Sequence, residues 1–255
     1  MDTLGAVLGP ILALAYLHFY PENYKTLFFL AFIPGVFAVL ITFLLKDKHV
    51  AQKVNAPRRS FFSFLGYWKQ SPVAFRQVTI GLLIFALVNS SDVFLLLKLR
   101  ESGLRDTWVI GVYIFYNLIY ALCSFPLGVL ADKIGLKKIF IAGLSMFAIV
   151  YLGMAFSNGW YTFLILFAVY GVYAAATEGI AKAWISNIAD KKDTATAIGF
   201  YSGFQSICTL LASSLTGMIW YSFGSAVAFS ITAAVTIGVV VYFLMIKEYK
   251  EKAEA

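Results

Sequence analysis

About eight stretches of roughly 20 apolar residues, separated by short polar joints, constrain this chain more than any other feature, because that is the length at which a helix crosses hydrocarbon. They fall near 2–20, 25–45, 75–98, 107–131, 139–157, 160–187, 195–219 and 225–246. With 61% hydrophobic and only 13% charged residues, the chain lacks the polar coverage of a water-soluble surface. The expectation is an all-α integral membrane protein whose first partner is the lipid bilayer.

The net charge of +7 would hint at nucleic acid in a soluble protein. Here it has a nearer explanation in loop charge, and no nucleic-acid partner is expected. One set of joints and ends carries Lys46, Lys48, Lys53, Arg58, Arg59, Lys69 and Arg76, then Lys133, Lys137 and Lys138, then Lys191 and Lys192, and finally Lys247, Lys250 and Lys252. The opposite set carries only Lys25, Lys98, Arg100 and Arg105. The positive-inside rule therefore predicts both termini in the cytoplasm.

Two cysteines, Cys123 and Cys208, each lie inside an apolar run, and His18 and His49 fall on opposite sides of the membrane. No disulfide framework, metal site or cofactor is expected. The first apolar run has no basic residue ahead of it, so no cleavable leader is expected either. There is no H-x-x-x-H pair, no Ser-His-Asp set on one side and no Gly-rich phosphate loop, so an enzyme is not expected.

The polar joint Gly128-Val129-Leu130-Ala131-Asp132-Lys133-Ile134-Gly135-Leu136-Lys137-Lys138 is a charged turn that belongs at the headgroups, with glycines suited to a tight reversal. It resembles the loop signature of the major facilitator superfamily, G-x-x-x-D-[RK]-x-G-[RK]-[RK]. Gly128, Asp132, Lys133, Gly135 and Lys137 match, and Leu136 stands where the family usually has a basic residue. In the family this loop joins the second and third helices of each six-helix half.

The resemblance implies a division of the chain. Residues 1–45 would be the last two helices of the N-terminal half, 46–72 the cytoplasmic central loop, 73–246 a complete C-terminal six-helix half, and 247–255 a cytoplasmic tail. Helices one to four would then be missing, and they or a partner chain are expected to complete the assembly. Within the central loop, Phe61, Phe62, Phe64, Leu65 and Trp68 share one helix face, the pattern of an amphipathic helix on the inner surface. Gly5, Gly9 and Pro10 are spaced for close helix packing, and they resemble the G-x-x-x-G-P element in the fifth helix of bacterial proton-coupled drug exporters. That likeness implies a cytoplasmic (inner) membrane. Pro34-Gly35 predicts a kink in the second span.

Ionisable residues inside a span are costly, so each is a candidate for function. Glu178 and Lys182 lie four apart with the acid first, the favourable order for a helical ion pair; by resemblance they latch an inner gate with Asp132 and Lys133. Lys182 can also snorkel to the interface. Asp92, after Asn89-Ser90-Ser91, has two readings: a cap for a helix resuming after a break, or a carboxylate facing a closed cavity and carrying a coupling proton. Tyr113, Asn117 and Tyr120 share one face of the fourth span, Tyr170, Tyr173 and Thr177 one of the sixth, and Ser202, Gln205, Ser206 and Thr209 cluster in the seventh. Such mid-membrane polar groups must find partners or line water.

The function expected is a secondary transporter that moves a small organic solute by alternating access, with proton-coupled export the version the resemblance suggests. The alternative is a truncated, non-transporting remnant or a subunit that needs a partner chain.

Overall fold

In lipid a backbone amide has no water to bond, so apolar runs of this length must satisfy themselves as helices. The computed structural model describes residues 2–20, 23–43 and 63–246. All of their regular secondary structure is helical: α1 Asp2–Phe19, α2 Tyr24–Thr42, α3 Ser63–Gln70, α4 Val73–Ala86, α5 Val93–Glu101, α6 Asp106–Ile134, α7 Leu136–Phe156, α8 Trp160–Ile188, α9 Thr194–Phe223 and α10 Ser225–Met245. Six of these are long and apolar enough to cross a membrane, namely α2 and α6 to α10, and α1 and α4 contribute shorter apolar stretches. The expected central-loop residues 44–62 and tail residues 247–255 lie outside the described residues.

Seven of the eight expected spans are single helices. The exception is 75–98, where α4 stops at Ala86 and α5 starts at Val93. The polar run Asn89-Ser90-Ser91-Asp92 explains the interruption, since short polar side chains compete for the backbone groups that a helix would use. Pro10, Pro34 and Pro126 all sit inside continuous helices.

Hydrophobic burial cannot drive helix pairing inside lipid, so packing depends on close fit and small residues. The solid part of the bundle is α7 against α8 and α10. There Phe147 stacks on Tyr151 with ring centroids 4.1 Å apart, and Phe140 packs on Trp184 and Phe243. Gly171 of α8 faces α6 so closely that a Cβ would lie 2.7 Å from the Tyr116 carbonyl oxygen. Gly143 of α7 meets Thr177 of α8 at the same 2.7 Å. Both glycines set helix separations next to the cavity described below.

The other elements are looser. α1 packs along α6, whereas α2 has no buried residue. Helix α3 docks on α9 through Trp68, which stacks on Phe200 at 5.6 Å, while Tyr67 is buried against Phe75. Of the expected amphipathic face, Phe61 and Phe62 lie outside the described residues. Burial, with Asp193 and Asp190 nearby, pushes the Tyr67 phenol above its usual pKa.

Candidate functional site

The break between α4 and α5 is stitched to three other helices, and this creates the site. Asp92 precedes the first residue of α5, but its side chain makes no bond to the α5 backbone. The Val93 amide instead reaches the Ser91 hydroxyl at 3.4 Å. Of the two readings of Asp92, the capping one is therefore not realised. Its carboxylate accepts a hydrogen bond from the Tyr116 hydroxyl of α6 at 2.6 Å and another from the Tyr170 hydroxyl of α8 at 2.5 Å, one on each oxygen. From α9, the Ser213 hydroxyl accepts the Ser91 amide at 3.2 Å. A freed amide of the break and an in-span carboxylate thus find partners on α6, α8 and α9, as buried polar groups in hydrocarbon must.

A cavity of about 560 Å³ opens beside this knot, walled by α4, the 87–92 break, α5, α6, α8 and α9, with Phe140 of α7. Its size is that of a pocket for a small organic molecule. Asn89, Asp92, Tyr113, Asn117, Gln205 and Glu178, all singled out in the sequence, line it together. So do Tyr120, Tyr170, Tyr173, Thr177 and Thr209, whereas Ser202 and Ser206 do not. The Asn117 amide donates to the Tyr113 carbonyl and the Thr177 hydroxyl to the Tyr173 carbonyl, each back onto its own helix. Behind Asp92, the buried hydroxyls of Ser90 and Tyr151 have no hydrogen-bond partner among the described residues.

Sequence reasoning missed Tyr116 and Tyr201. Tyr116 lies three residues after Tyr113 on the same helical stripe, and Tyr201 four before Gln205, so the periodicity contained both. What it could not supply was the choice of Asp92 as the Tyr116 partner.

The joint around Asp132 is more helical than its sequence suggests. α6 continues through Gly128, Asp132 and Lys133 to Ile134, and Gly135 alone makes the reversal, at φ +102°, before α7 begins. Gly128 is thus a helix residue, not part of a turn. Asp132 and Lys133 are exposed, and the Lys137 ammonium donates to the Ile246 carbonyl past the end of α10. Glu178 reaches the cavity wall, and Lys182 is exposed one turn beyond it. Among the described residues no ion pair joins Asp132 or Lys133 to Glu178 or Lys182. The ion pairs that do occur among them, Lys98–Glu101 at 3.4 Å and Arg100–Asp106 at 3.3 Å, lie at the opposite end of the bundle. Gly5 and Gly9 of α1 have no atom within 4 Å of a would-be Cβ, so neither makes the α1–α6 contact, and Pro10 beside them is half-buried.

An all-helical bundle with a broken crossing segment and a polar cavity at the break is a polytopic membrane protein built to hold a solute within its helices. Residues 101–255 match the Major Facilitator Superfamily family model. The chain belongs to that superfamily of transporters. It is 29% identical over 225 residues to an uncharacterized MFS-type transporter, MJ1317, of Methanocaldococcus jannaschii; the match covers 86% of this chain and 55% of that protein. The chain thus spans about half the length of the curated relative it matches.

Proposed function

We propose that the chain forms the solute-holding part of a secondary transporter that moves a small organic solute by alternating access. The observation that carries this reading is the Asp92 knot: a carboxylate at a helix break, bonded by two phenols and opening on a cavity of about 560 Å³. A discontinuous helix beside a midplane cavity is the usual construction of a transporter substrate site. In this reading residues 73–246 are the C-terminal half, 1–45 the last two helices of the N-terminal half and 46–72 the cytoplasmic connection between them. Both termini are cytoplasmic in a cytoplasmic membrane, and transport is proton-coupled export. Asp92 carries the proton, and Asn89, Tyr113, Asn117 and Gln205 contact the solute. Glu178, Lys182, Asp132 and Lys133 latch the gate in a state other than the present one. Gly5, Gly9 and Pro10 are the packing face of α1 for the helices that complete the assembly. No chemical transformation is part of the cycle.

The test is proton-gradient-driven flux of a panel of organic solutes in liposomes holding the full chain. The native protein accumulates at least one solute against its gradient, whereas Asp92→Asn only equilibrates it. An Asp92→Asn protein that still accumulates solute removes the proton role.

A second reading, a subunit that needs a partner chain, is favoured by the absence of any buried residue in α2 and by the open face at Gly5 and Gly9. It predicts no flux from the chain alone and flux when a chain carrying the equivalent of the first four helices is co-expressed.

A further inference from the structure

We infer that the Asp92 cavity takes a singly charged organic cation with an aromatic or broad apolar body, because its described walls carry carboxylates and tyrosine rings and no cationic side chain. The inference rests on the solute-holding reading above and names the class of solute.

Charge comes first. Asp92 and Glu178 are the ionisable acids lining the cavity, and no Lys, Arg or His stands among the described lining residues. The two cationic side chains of α5 are engaged elsewhere. Lys98, buried, bonds Glu101 at 3.4 Å and the Ser225 hydroxyl at 3.2 Å, and Arg100 pairs with Asp106. Asp92 is therefore matched by neutral phenols and by no positive charge. A carboxylate offers about four acceptor sites, and the phenols take one on each oxygen. The sites left over can receive a cation. An anionic solute would meet two carboxylates with nothing to offset them, which is costly at low dielectric.

Ring geometry points the same way. Six tyrosines line the cavity. Tyr113 stands edge-on to Tyr116 at 5.3 Å, Tyr116 edge-on to Tyr170 at 5.5 Å, and Tyr170 is tilted against Tyr173 at 5.2 Å. Successive rings are turned against one another, so their faces point in several directions around the carboxylate. A cation over such faces gains up to about 2 kcal/mol when desolvated. Neither a sugar-like solute nor a carboxylic acid would draw on both features.

The experiment is equilibrium dialysis of the purified full chain in detergent against tetraphenylphosphonium and, separately, tetraphenylborate, with protein-free micelles subtracted. The two probes share a shape and differ in the sign of their charge. Saturable tetraphenylphosphonium binding with at least tenfold weaker tetraphenylborate binding is expected, and Asp92→Asn should weaken the cation at least tenfold. Equal binding of both probes, preference for the borate, or no saturable binding of either overturns the inference. So does full cation affinity in a folded Asp92→Asn protein. If that variant does not fold, the native comparison of the two probes decides alone. Cation binding without gradient-driven flux would keep this inference and remove the transporter reading. Accumulation of an anion by a chain that ignores tetraphenylphosphonium would do the reverse.

Discussion

A carboxylate withdrawn from water needs a donor for each oxygen, and at Asp92 the donors come from residues 24 and 78 positions away along the chain. Local sequence marked Asp92 because an acid in an apolar run is costly anywhere, and it marked Tyr113, Asn117 and Gln205 by their helical spacing. The partners were not legible, since an isolated Tyr in a span reads equally well as an interfacial anchor, and only the packing of α6 and α8 against the break selects Tyr116 and Tyr170. The arrangement has a measurable signature. Tyr116→Phe and Tyr170→Phe each remove one hydroxyl and should each lower stability by about 1 kcal/mol, the scale of a polar contact within a membrane protein. The double variant should lose more than the sum, because the carboxylate is then left with no donor. Unfolding titrations in mixed micelles measure this, and a simply additive result would mean that Asp92 finds another donor.

Among the elements, the long helices were legible from apolar length alone, because in lipid length and composition nearly dictate the state. The α4–α5 crossing segment was read as one span, 75–98, with a break raised only as one reading of its polar run. Hydropathy averages across six residues that the backbone treats as an interruption. Helix separation was less legible, as small residues occur both at contacts and on open faces. Gly5 and Gly9 have the familiar spacing yet meet nothing within 4 Å, whereas Gly171, with no motif around it, faces a backbone oxygen at 2.7 Å. The prediction reverses what motif reading would give. Gly171→Ala should push α8 from α6, lower stability by about 1–3 kcal/mol through overpacking, and weaken whatever the Asp92 cavity binds. Gly9→Ala should be neutral or stabilise by up to about 1 kcal/mol, since alanine is the better helix former. The same unfolding titrations decide it, and a loss of stability in Gly9→Ala would reveal a helix packed on that face.

For the whole molecule, the family was legible from a single joint because its glycines and charges mark where α6 turns into α7, although only Gly135 proves to be the turn. Orientation rests on charge rather than on packing, and it can be tested independently. Lys133, Lys137, Lys138, Lys191 and Lys192 cluster at the end of the bundle formed by the α6–α7 and α8–α9 joints, while Arg100 and Arg105 mark the other. Moving basic joints across a membrane is disfavoured, so the richer end should stay on the side of synthesis. With Cys123→Ser and Cys208→Ser as background, Arg105→Cys should react with a membrane-impermeant maleimide in intact cells. Lys192→Cys, an exposed position, should react only after the membrane is opened. The inverse labelling would turn the bundle over, placing the Asp132 joint outside and leaving the proposed cytoplasmic latch without its location. Labelling of both sites in intact cells would mean that the chain inserts in two orientations, as expected if helices outside it supply part of the charge that normally fixes the choice.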